Sequence, residues 1–130
     1  MTQDFMGESV SSVQLTPDGN CVLASTHNSP LRLMDKSNGK LLASYTGHTS
    51  ATYRVEGGVL HNMEYVLSGS EDGFVYVYGV VDGSVAVRLH HPEAKVIHSL
   101  STHPKLAHVI STTGPSIYLW TPKPLDEDAL

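Results

Sequence analysis

The chain has 130 residues, enough for one domain with a real core, and 40% of them are hydrophobic against 16% charged. Eight Lys and Arg against thirteen Asp and Glu leave a net charge of -5, a poor match for a phosphate backbone. The single cysteine, Cys21, rules out an intrachain disulfide or a CxxC zinc site, and no apolar run approaches the length of a membrane span.

Taken in chain order, the apolar residues fall in short runs rich in Val and Leu. Val10–Leu15 ends at the turn cluster Thr16-Pro17-Asp18-Gly19-Asn20. Cys21–Ser25 follows, then His27-Asn28-Ser29-Pro30, Leu31–Asp35, Ser37-Asn38-Gly39 and Leu41–Tyr45. Runs of this length between Gly, Pro and Asn predict strands joined by tight turns. No stretch holds an apolar stripe at helical spacing long enough for a helix, so the chain reads as all-β.

The pattern repeats. Met34 aligns with Tyr78 and Gly39 with Gly83, both 44 residues apart, while Val22-Leu23 aligns with Val66-Leu67. A third copy ends in Ile117-Tyr118-Leu119-Trp120, with Trp120 placed 42 residues after Tyr78. Four short strands in about 40–45 residues is the period of a propeller blade. Phe74-Val75-Tyr76-Val77-Tyr78 is apolar on both faces, Phe74, Tyr76 and Tyr78 on one and Val75 and Val77 on the other. Such a strand needs cover on both sides, which stacked blades supply.

Gly47-His48, Leu67-Ser68-Gly69-Ser70-Glu71-Asp72-Gly73 and Val77-Tyr78 resemble the Gly-His and Trp-Asp signature of WD-repeat propellers. Residues 4–120 are similar to the C-terminal blades of WD-repeat scaffolds that organise mitogen-activated kinase cascades, through Leu31–Lys36, Gly47-His48 and Ser70–Val75. The resemblance implies an all-β fragment of about three four-stranded antiparallel blades from a seven-bladed ring. Residues 1–7 would be the remnant of a preceding outer strand, 8–45, 46–89 and 90–120 the blades, the last without its outer strand, and 121–130 an acidic tail. It also implies a hydrogen-bond tetrad of His48, Ser68, Asp72 and Tyr78, the imidazole bonding Asp72 on one side and Ser68 on the other. Tyr78 replaces the usual Trp, and its hydroxyl sits farther out than an indole N–H, which leaves the fourth bond open. The first copy has Ala24, Asn28 and Met34 at these places and the third has Ile110 and Gly114, so both are expected to lack the network.

Five of the eight histidines, His90, His91, His98, His103 and His108, crowd into one stretch without Cys or Asp beside them. Surface and turn positions explain them better than a metal site, and neither a metal nor a cofactor is expected. Glu71-Asp72 fits a turn whose Asp accepts hydrogen bonds better than a catalytic pair. The basic residues are scattered without aromatic interleaving, as on a solvated surface. The expected function is a non-catalytic protein-interaction scaffold, without direct nucleic-acid or membrane binding, in a reducing compartment: the cytoplasm and the nucleus. The resemblance implies kinase-cascade or pre-mRNA splicing components as partners. Contact positions are expected on one rim, at His27, Asn28, Thr49, Ser50, Glu71, Thr113 and Pro115. One alternative is an enzyme with an active site on a propeller face, drawing on Arg54, Glu56 and His98. Another is a chain that completes another propeller. With blade faces open at both ends, the isolated chain is expected to self-associate or to need the missing blades.

Overall fold

The structure, a computed structural model, describes residues 9–27, 30–50, 53, 55–92 and 95–122. Its strands form three antiparallel sheets in chain order. The first holds β1 (Val10–Leu15), β2 (Cys21–Thr26), β3 (Leu31–Asp35) and β4 (Leu41–Tyr45). The second holds β5 (Gly57–Val59), β6 (Tyr65–Ser68), β7 (Phe74–Gly79) and β8 (Val85–His90). The third has three strands, β9 (Ile97–Thr102), β10 (Val109–Thr113) and β11 (Ser116–Trp120). The chain is therefore all-β, as its run lengths predict. The inner strand of the middle blade covers Gly57–Val59. The expected strand remnant at 1–7 and residues 123–130 of the tail lie outside the described residues.

Local chemistry shapes the hairpins. The carboxylates or amides of Asp18, Asp35, Asn38, Asn62, Asp72 and Asp82 each accept the backbone N–H two residues on, closing an Asx turn. Hydrogen bonds hold the Asp18 and Asp35 carboxyls below the usual carboxylate range, from the Thr16 hydroxyl first for Asp18 and from Ser37 for Asp35. Gly39 and Gly83, 44 residues apart, both adopt a φ of 71°, which glycine reaches without strain. Each follows a register shift at the same place in its blade, Leu33/Met34 and Val77/Tyr78.

The sheets stack through two apolar layers. Leu23, Leu31, Leu33 and Tyr45 of the first sheet pack on Val59, Val66, Tyr76 and Tyr78 of the second. The opposite face of the second, with Leu67, Val75 and Val77, packs on Ile97, Leu100 and Val109 of the third. The two faces of Phe74–Tyr78 thus divide between neighbours as the alternation predicts. Tyr45 is fully buried, and its hydroxyl donates to the Val80 carbonyl at 2.8 Å across the first joint.

Two glycines on β5 allow this approach. A Cβ on Gly57 would lie 2.9 Å from Leu31 and 3.2 Å from Leu23, whereas one on Gly58 would lie 2.7 Å from Leu100. Glycine inside a strand commonly marks such a close neighbour. Three carbonyl bonds lock the same region: Gly69 N–H donates to Glu56, Ile97 N–H to Ser70 and Glu56 N–H to His98. On the outside, β11 is an edge strand among the described residues, and a groove of about 390 Å³ opens beside it, lined by Leu60, Leu89, Val109 and Trp120 among others.

Candidate functional site

The best-formed polar network lies in the third blade. His91 is fully buried just after β8, and its Nδ1 lies 3.1 Å from the Gly73 carbonyl. A carbonyl only accepts, so Nδ1 carries the proton and Nε2 is the acceptor. The Ser111 hydroxyl, 2.7 Å away, donates to Nε2 and accepts the Trp120 indole N–H at 2.8 Å. The direction of every proton follows: indole to hydroxyl, hydroxyl to imidazole, imidazole to the backbone of the neighbouring blade. The ring is also flanked edge-on by Tyr118 and Trp120, at centroid distances of 5.1 and 5.0 Å.

The expectation that the third copy lacks this network is therefore corrected. Val66 pairs with Tyr78 and Val109 with Trp120, so Ser111, not Ile110, is the counterpart of Ser68. The turn before β11 is one residue shorter than the turn before β7, and a constant offset from Trp120 lands one position early. His91 is likewise a buried ring and not a surface or turn group. Its signal in the sequence is its spacing, 43 residues after His48, the same offset that carries Ser68 to Ser111.

The middle blade is wired differently from the expected tetrad. The Tyr78 hydroxyl lies 2.9 Å from His48 Nδ1 and accepts the His48 backbone N–H at 3.2 Å. Burial, first, pushes the Tyr78 phenol up to about 12, so it stays protonated and donates to the imidazole. Burial also lowers His48, against the opposing attraction of the Asp72 carboxylate, and leaves the ring neutral. The Asp72 carboxylate accepts the Tyr76 hydroxyl at 2.6 Å, and the Ser68 hydroxyl donates to the Gly69 carbonyl at 2.8 Å. Neither Asp72 nor Ser68 bonds His48. A para hydroxyl reaches past the position of an indole N–H and meets the imidazole directly, which displaces the serine.

The rim expected to carry partner contacts is partly assembled. Thr49 N–H donates to the Ser70 hydroxyl and Glu71 N–H to the Thr49 carbonyl, both at 2.9 Å, clamping two loops together. Glu71 in turn accepts the Tyr53 N–H at 2.9 Å. Pro115 is exposed and His27 is half-buried, its N–H donating to the Ser9 carbonyl. Ser50 and Thr113 are corrected: at 5% and 1% exposure their side chains support the rim and cannot face a partner. Asn28 lies outside the described residues. Sequence reasoning missed the groups that Glu71 meets. Tyr53, Glu71, Lys95, Val96, His98 and Gly114 line a cleft of about 360 Å³ between the second and third blades. Tyr53 and His98 stand edge to face at 5.7 Å. The cleft thus offers a carboxylate, an ammonium, an imidazole and a phenol on a braced floor.

Comparison with known proteins bears on the middle of the chain. Residues 39–79 match the WD domain, G-beta repeat family. The matched segment runs from the turn before β4 to the end of β7 and includes His48, Ser68, Asp72 and Tyr78. The chain is 35% identical over 123 residues to WD repeat domain-containing protein 83 of Danio rerio, covering 95% of this chain and 39% of that protein. It is 33% identical over 117 residues to the Homo sapiens protein of the same name, covering 90% and 37%. Uncharacterized WD repeat-containing protein C713.05 of Schizosaccharomyces pombe is 28% identical over 113 residues, covering 87% and 38%. The chain thus spans less than two-fifths of these relatives. The repeat match and the stacking of three antiparallel sheets are consistent with a fragment of a WD-repeat β-propeller. WD-repeat domains generally mediate protein–protein interactions.

Of the groups named for the enzymatic alternative, the described Glu56 and His98 side chains do not bond each other. The Glu56 carboxylate accepts the Ser99 hydroxyl at 2.6 Å and the Leu100 N–H at 3.3 Å, while His98 meets Glu56 only through its carbonyl. Arg54 lies outside the described residues. Among the described residues no cluster of three His, Cys, Asp or Glu side chains is arranged to hold a metal ion.

Proposed function

We propose that this chain is a non-catalytic protein-interaction scaffold whose partner surface is the rim cleft between the second and third blades. The observation that carries the reading is the cleft itself: exposed Tyr53, Lys95 and His98 with Glu71, on loops clamped by hydrogen bonds through Thr49 and Ser70. Variable polar and aromatic groups on a rigid scaffold suit specific recognition of a protein surface. The similarity to WD-repeat scaffolds supports kinase-cascade components as partners, with pre-mRNA splicing complexes met through protein contacts. Work in both cytoplasm and nucleus follows from that choice of partners. The test is affinity purification of the wild-type chain beside Tyr53→Ala/Lys95→Glu. Both side chains are exposed, so the variant keeps its melting temperature and loses the co-purifying proteins. Unchanged recovery of kinase-cascade or splicing proteins would remove the cleft from the interface, and recovery of neither class by the wild type would remove these partners.

A further inference from the structure

β8 is the outer strand of the second sheet, and all four strands of that sheet lie within the described residues. Its free edge therefore belongs to the middle of the chain. Just beyond the strand His91 N–H donates to the Gly73 carbonyl, and β8 pairs with β7 without a gap from His90 with Phe74 to Val87 with Val77. Hydrogen bonds alternate along an antiparallel ladder, so Leu89 and Val87 turn their backbone groups inward while Arg88 and His90 turn theirs outward. Among the described residues no further strand takes up those outward groups. The side chains of the same two residues are ordered by one ring. Arg88 stands across from Tyr76 and His90 across from Phe74, on the face turned toward the first blade. The guanidinium lies 4.8 Å from the centre of the Phe74 ring, a cation–π contact, and the His90 ring lies 5.0 Å from the same ring. The Asp72 carboxylate is taken by the Tyr76 hydroxyl and the Phe74 N–H, and Arg88 forms no ion pair among the described residues. In a chain of net charge -5, this arginine is held on an aromatic ring and not on an acid.

We propose that the outer edge of β8 receives an extended acidic segment of a partner protein, with carboxylates at alternate positions opposite Arg88 and His90. Alternate side chains of a strand share one face and stand about 7 Å apart, so an added strand repeats the spacing of Arg88 and His90. An Asp or Glu at two such positions sets one carboxylate against the guanidinium and the other against the imidazole. The residue between them faces the other way and meets Leu89, which lines the apolar groove. Backbone bonds to the edge supply the affinity of strand addition, and opposite charges at facing positions select the sequence. The ring beneath the guanidinium orders it before the partner arrives, which lowers the cost of binding. This surface lies on the outer side of the middle blade, apart from the rim cleft, and does not depend on it.

The probe is a fluorescein-labelled peptide, Thr-Val-Glu-Val-Glu-Val-Thr, capped at both ends, titrated with the wild-type chain and read by anisotropy. Replacing both glutamates by glutamine should weaken binding about five-fold, the loss of one good facing pair. Methylating the backbone nitrogens of the two glutamates, which face the edge, should abolish binding. Arg88→Glu alters an exposed side chain; it should lose this peptide and bind the Lys-x-Lys counterpart, a reversal that a damaged fold would not produce. A benzophenone at the central position should cross-link to β8, as located by mass spectrometry. Should Arg88→Glu fail to fold, the three peptides on the wild-type chain decide the matter. Equal affinity of the Glu and Gln peptides overturns the proposal, as does indifference to methylation. So do cross-links confined to the rim cleft, or no saturable binding up to about 1 mM peptide.

Discussion

Ser111→Ala and Ser68→Ala delete the same hydroxyl from equivalent positions, both fully buried, and differ only in what the hydroxyl holds. Ser111 accepts from Trp120 and donates to His91, so its loss strands a donor and an acceptor. A buried group left without its partner costs about 1–3 kcal/mol. Half-buried Trp120 recovers part of this from water, which brings the cost to about 2–4 kcal/mol. Ser68 donates only to the adjacent Gly69 carbonyl, a single neutral bond worth about 0.5–1.5 kcal/mol. The difference, about 2 kcal/mol, corresponds to about 1 M in urea midpoint at a slope of about 2 kcal/mol/M. Urea denaturation at one protein concentration measures it, with equal slopes confirming that the unfolded state is unchanged. A cycle adding Trp120→Phe should show coupling of about 0.5–3 kcal/mol with Ser111→Ala and none with Ser68→Ala. Equal midpoints for the two alanine variants would refute the assigned proton directions and the register that places Ser111 in the relay.

Three further outcomes are expected. His48 titrates below its ordinary value in the fold, so the unfolded chain takes the proton first: stability is complete above about pH 6.5 and declines as pH falls below it. His48→Gln should flatten melting temperature against pH across that window, and an unchanged slope would count against the buried neutral ring. Gly69→Ala sets a Cβ onto the Ile97 carbonyl oxygen, backbone that cannot swing aside, and should cost about 3 kcal/mol or more, whereas Gly19→Ala, with open space and a φ of 74°, should cost about 1 kcal/mol. Comparable urea midpoints would mean that the second and third blades are farther apart than described. Tyr45→Phe removes the hydroxyl bonded to Val80 across the first joint and should cost about 1 kcal/mol by the same assay, a loss that disappears if the joint is hydrated.

Strands, turns and the repeat were legible in the sequence because they rest on chemistry between near neighbours. Asn38 and Gly39 build their turn from their own side chain and backbone, and their counterparts Asp82 and Gly83 in the middle blade announce the same unit again. The alternation through Phe74–Tyr78 likewise fixed that both faces would be covered. Tertiary structure decided which groups meet. One residue fewer in the turn before β11 moves Ser111 into the place that counting back from Trp120 gives to Ile110, and so turns His91 from a supposed turn residue into the centre of a buried relay. In the middle blade the length of a tyrosine, not the presence of His48, Ser68 and Asp72, sets the bonds, because a hydroxyl reaching the imidazole first leaves serine and aspartate to other partners. The rim cleft could not be read from local pattern at all. Tyr53, Glu71, Lys95 and His98 come from separate segments, and they share a surface only because two sheets pack at the distance that Gly58 and Gly69 permit.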